Sequence, residues 1–74
     1  NYKPTYPNVI KLSDNDARII KDTFSIVSKS KDFKTLIKLR SKIIEVTGIK
    51  TNGESDLIFI DTILKDYNYY TQQM

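Results

Sequence analysis

Six basic side chains, Lys29, Lys31, Lys34, Lys38, Arg40 and Lys42, stand within fourteen residues and face a single acid, Asp32. At about 100° per residue, Lys31, Lys34, Lys38 and Lys42 fall within roughly 80° of arc, opposite the apolar positions of the same segment. Arg18, Lys21 and Lys29 share the polar face of the preceding segment, with Asp22 among them. Clustered ammonium groups attract polyanions. A solvated helical face is the ordinary use of lysine, but such a face mixes the two signs of charge, and this one hardly does. Lysine favours phosphate over base edges, because it is a point charge without the planar fork that arginine offers to guanine. Binding of that kind is driven by counterion release and depends steeply on salt.

Other chemistry has little to work with. The chain has no cysteine and no histidine, hence no disulfide framework and no ordinary zinc site. Asp14 with Asp16, and Asp61 with Asp66, are spaced as carboxylate pairs, yet they have capping and surface explanations and no partner base. No glycine-rich phosphate loop or Ser/His/Asp set is present. The sequence points to a binding protein rather than an enzyme, with no cofactor.

At 74 residues and a formal charge of +3, the chain makes one small domain. Cores of this size rarely supply more than about 3 to 5 kcal/mol, so helix packing, a partner or a second copy must contribute. The charge is uneven. Residues 1–52 carry eleven bases and five acids, and residues 53–74 one base and four acids.

The elements that must position the lysines follow from period and punctuation. Pro4 and Pro7 make residues 1–12 an extended arm. Ser13 caps a first helix of about 14–28, with Asp14 and Asp16 favoured by its dipole and Leu12 stapled to Ala17. Ala17, Ile20, Phe24 and Val27 form its apolar stripe, widened by Ile19 and Ile26. Ser30 or Asp32 caps a second helix of about 32–47, striped by Phe33, Leu36, Ile37, Ile43 and Ile44. Gly48 stands where a left-handed terminal residue is wanted. Thr51 and Glu54 have capping-box spacing for a third helix reaching about residue 68, with Leu57, Ile60, Ile63, Leu64 and Tyr67 on one face. Leu57-Ile58-Phe59-Ile60 would also suit a buried strand, but the helical period continues past it and no second strand is available. The expected organisation is an arm at 1–12, an all-α three-helix domain at 13–70 and a frayed end at 71–74.

Several residues fit a simple core poorly. Arg40 falls on the apolar face of the second helix, either snorkelling to its rim or exposed to pair with an acid such as Asp61 or with a phosphate. Ile58 and Phe59, beside Tyr69 and Tyr70, form a patch that suggests a homodimer through the third helix, in which Asp61 and Asp66 face bases of the other subunit. Packing by the N-terminal arm is the local alternative. The third helix is too acidic to serve as a recognition helix in a DNA groove. The tyrosines near the chain ends suit anchoring of the tails, and less readily stacking on unpaired bases.

The proline-containing arm before Ser13, the lysine-rich second helix from Lys31 to Lys42, and the ending Phe59-Ile60-Asp61-Thr62-Ile63-Leu64-Lys65-Asp66-Tyr67 together resemble one known family. It is the C-terminal domain of the membrane-anchored replication organiser of small protein-primed Bacillus phages. The resemblance implies a dimer of three-helix chains, six helices in all, distantly homeodomain-related, that binds single- and double-stranded DNA without sequence preference. It also implies Lys31, Lys34, Lys38 and Lys42 as phosphate contacts, and an upstream membrane anchor and coiled coil outside this chain.

The sequence thus leads to a non-specific DNA-binding and dimerisation module using Arg18, Lys21, Lys29, Lys31, Lys34, Lys38, Arg40 and Lys42. The alternative is an interaction domain whose basic ridge docks an acidic protein. No window reaches the roughly 18 apolar residues of a membrane span. Without cysteine or a secretion signal the chain reads as intracellular, and a first residue of Asn1 suggests that a segment precedes it.

Overall fold

The computed structural model describes residues 2–72. Three helices, α1 (Asp14–Ser30), α2 (Phe33–Thr47) and α3 (Asp56–Gln72), follow a short 3-10 helix at Pro7–Lys11. The fold is all-α, with no strand among the described residues, and Leu57-Ile58-Phe59-Ile60 lies wholly within α3. No helix is long and apolar enough to cross a membrane.

Local chemistry explains most boundaries. Ser13 and Asp16 close a reciprocal capping box, the Asp16 amide donating to Ser13 Oγ at 3.0 Å and the Ser13 amide to Asp16 Oδ2 at 3.1 Å. Asp32, rather than Ser30, caps α2 by accepting from the Thr35 amide and hydroxyl. These two bonds hold its carboxyl below the usual aspartate range. Gly48 ends α2 in the left-handed conformation, its amide donating to the Ile44 carbonyl at 2.8 Å.

The start of the third helix departs from expectation. Helix α3 opens at Asp56, with Ser55 Oγ accepting from the Ile58 amide. Thr51 and Glu54 work in the loop instead. Thr51 Oγ1 accepts from Arg40, while Glu54 accepts from the Asn52 amide and from the Tyr6 hydroxyl at 2.6 Å. The Tyr6 hydroxyl is the chief reason that the Glu54 carboxyl lies below its ordinary value.

The core also differs in detail from the expected stripes. Leu36, Ile43, Phe59, Ile60 and Ile63 are fully enclosed, with Val9, Leu12, Ile20, Val27 and Ile49 around them. Phe59 is central to this core rather than at its edge. Ile19 and Ile26, expected to widen the first stripe, and Phe33 and Ile37, expected within the second, are exposed. Three helices of this length close around a narrow centre, and positions on the flanks of each stripe are left facing water.

The N-terminal segment is more than an arm. Tyr6, Val9 and Leu12 are core residues, and the 3-10 turn packs against both α2 and α3. Its clasp is Asp66. That carboxylate is fully buried and accepts from the Thr5 amide at 2.9 Å, the Tyr6 amide at 2.7 Å and the Tyr2 hydroxyl. Partial burial and the bond to Asp66 raise the Tyr2 hydroxyl to about 12. At the other side of α3, the Tyr67 hydroxyl donates to Asp14 at the start of α1, which lifts it likewise to about 12.

Candidate nucleic-acid interface

The structure sorts the eight expected cations into three settings. Arg40 is committed to the fold. Its Nε lies 3.3 Å from Asp56 Oδ1, off the alignment of a hydrogen bond, its Nη2 donates to Thr51 Oγ1 at 3.0 Å, and its guanidinium lies 5.5 Å from the Phe59 ring centroid. It pins the loop before α3 to α2, as the snorkelling account requires, with Asp56 as its acid rather than Asp61. As a phosphate contact it is the weakest member of the expected set.

Arg18 and Lys21 belong to a second place. They line an open groove of about 520 Å³ between α1 and α3, whose floor is Ala17, Leu64 and Tyr67. Lys65 and Asn68, which periodicity gave no reason to single out, lie on the same groove. Lys65 is paired with Asp61 at 2.9 Å, and Arg18 donates to Asn15 Oδ1 at 2.8 Å.

Of the remaining five, Lys31, Lys34, Lys38 and Lys42 belong to the ridge of α2 and the turn before it, and Lys29 lies in the last turn of α1. Lys29, Lys31, Lys34, Lys38 and Lys42 are all exposed, and none forms an ion pair among the described residues. Lys42 also edges a small apolar groove of about 160 Å³ between α1 and α2, near Ile19, Leu39 and Val46. Arg18 and Lys21 border the other side of α1, so the polar faces of α1 and α2 do not merge into one continuous surface. The cationic strip is narrower than expected: the outward face of α2 and the turn before it.

Two features of this strip, at Lys34 and at Lys31, are locally costly. Helix α1 has acids in its first turn and Lys29 in its last, the order its dipole favours. Helix α2 has the reverse. Its first turn holds Lys34 and no acid, and its last turn holds Glu45 and no base. The second feature is Lys31, the C-cap of α1, which lies in the left-handed region at φ 57°, ψ 38°. It is the one non-glycine residue with positive φ among those described. Glycine is the usual occupant of such a position, and a lysine there sets its ammonium on the turn at a cost in backbone energy.

The expected subunit contacts of α3 are corrected by the arm. Phe59 and Asp66 are wholly enclosed within the chain, one by the core and Tyr6, the other by the amides of Thr5 and Tyr6. Asp61 is paired with Lys65 on its own helix. Tyr69 packs between Tyr2 and Tyr70, with ring centroids 6.2 and 5.3 Å away. Of that set, Ile58 alone remains largely exposed, at 60%. Sequence periodicity missed Asp66 because its partners are backbone amides some sixty residues earlier, which leave no side-chain signal.

No group of three acidic side chains among the described residues is placed to hold a metal ion. A family model described as "Domain of unknown function (DUF8484)" matches residues 1–74. No curated protein and no solved structure matches the chain.

Proposed function

We propose that this chain, which belongs to the DUF8484 family of domains of unknown function, binds DNA without sequence preference. Phosphates would lie along the outward face of α2, the turn before it and the last turn of α1, on Lys29, Lys31, Lys34, Lys38 and Lys42. The carrying observation is that these ammonium groups form no ion pair among the described residues, while Lys34 at the start of α2 and Lys31 in a left-handed backbone are each placed at a local cost. A face meant only for solubility would be satisfied by mixed charge at no such cost. The lack of arginine on the ridge favours backbone contact over base reading. The same activity is what the resemblance to the phage replication organiser implies.

Association of two copies, also implied there, would use what the arm leaves uncovered on α3, namely Ile58 with Leu57. Sedimentation that remains monomeric at high concentration would remove that part of the reading.

The ridge is tested by Lys34→Glu combined with Lys38→Glu. Both side chains are exposed and unpaired, so the helical circular dichroism should be unchanged. Affinity for random-sequence DNA at low salt should drop roughly tenfold or more, since two phosphate contacts become repulsions. Unchanged affinity would remove the ridge from the DNA contact.

A further inference from the structure

Phe33 ought to be a core residue by its spacing, yet it is 59% exposed. Ile37, one turn on, is 56% exposed. At i and i+4 they form one apolar pair on the flank of α2 next to the face that carries Lys34 and Lys38. The other aromatic rings are accounted for, Phe24 by its packing against the core. Tyr6 and Phe59 are buried against each other, Tyr2 is held by Asp66, Tyr67 by Asp14, and Tyr69 and Tyr70 stack at the end of α3. Phe33 has no polar atom to be held by, and no ring is stacked on it among the described residues. It stands at the first position of α2, two residues after Lys31 with its left-handed backbone and directly before Lys34.

An exposed ring bordered by ammonium groups has a specific chemical complement: an anionic backbone carrying flat, apolar faces. We propose that the preferred ligand of this surface is single-stranded nucleic acid, with phosphates on Lys31, Lys34 and Lys38 and an unpaired base stacked on Phe33 beside Ile37. This inference rests on the phosphate-binding reading above and names its substrate class. A duplex satisfies the lysines but keeps its base faces stacked inside the helix, so Phe33 would gain nothing from it. Asp32 is the carboxylate adjacent to Phe33 in the chain. It is turned to the Thr35 amide and hydroxyl, and so serves as the cap of α2.

The test compares fluorescence anisotropy of a labelled oligothymidylate with that of a blunt hairpin duplex, for the wild type and for Phe33→Leu. Leucine keeps an apolar side chain but removes the aromatic face, and an exposed site leaves the fold intact, as a thermal melt would verify. The wild type should bind the single strand more tightly than the duplex. Phe33→Leu should weaken single-strand binding by roughly five- to a hundredfold, the worth of one stacked base, and leave the duplex unaffected. Equal affinity for both forms with no effect of Phe33→Leu overturns the stacking inference while phosphate binding stands. Binding of neither form at low salt removes both. Tight binding to phosphatidylserine vesicles that depends on Phe33, without binding to the oligothymidylate, overturns the inference in favour of a lipid surface.

Discussion

Lys31 is the residue where structure and proposed function pull in opposite directions. Its left-handed backbone is one that glycine adopts freely and a side chain adopts at a cost of about 1 kcal/mol. Lys31→Gly should therefore stabilise the domain by about 0.5 to 1 kcal/mol in urea unfolding while weakening DNA binding. A variant that is less stable would show that the lysine serves the fold, and one that is more stable but binds as before would exclude it from the interface. At this scale the sequence was legible wherever chemistry is local. Ser13, Asp32 and Gly48 cap through neighbours within four residues, and all three act as their types suggest. Arg40 was legible only as an anomaly, because its acid, Asp56, lies across a loop that periodicity does not describe.

At the scale of elements, the three helices follow from hydrophobic spacing, whereas the N-terminal segment does not. Pro4 and Pro7 correctly exclude a long helix, but they say nothing of where the segment lies. Its position is fixed by Asp66, whose role is invisible to a reading that looks for apolar stripes. A buried carboxylate that accepts from two amides and a hydroxyl is strongly favoured over any substitute that must donate. Asp66→Leu keeps the approximate size but leaves the Thr5 and Tyr6 amides without an acceptor. It should cost about 1 to 3 kcal/mol, a large share of the roughly 3 to 5 kcal/mol a core of this size supplies. Early hydrogen exchange at the Thr5 and Tyr6 amides should accompany the loss. Wild-type stability with those amides still protected would mean that the core residues Tyr6, Val9 and Leu12 hold the segment without the clasp. The start of α3 was misplaced for a related reason. Thr51 and Glu54 have capping-box spacing, but Arg40 and Tyr6 claim their side chains for the loop.

For the molecule as a whole, the charge asymmetry seen in the sequence survives folding, but in a redistributed form. Its acidic portion, around α3, is partly consumed by internal partners: Asp66 by the arm, Asp56 by Arg40 and Asp61 by Lys65. The basic portion is divided among the α1–α3 groove, the outward face of α2 with the end of α1, and Lys3, Lys11 and Lys50 exposed elsewhere, while Arg40 is held by Asp56. That division was not legible, since helical wheels give the face of each helix but not how neighbouring faces meet. Five exposed lysines without ion pairs among the described residues lie on α2, the turn before it and the end of α1, and the DNA binding proposed for them has a distinct thermodynamic signature. The most direct test is the affinity for random-sequence DNA measured across a salt series. With about three to five lysines engaged, the logarithm of the binding constant should fall linearly with the logarithm of salt concentration, with a slope of about −2 to −4. A slope near zero, or no binding at the lowest salt, would contradict the account.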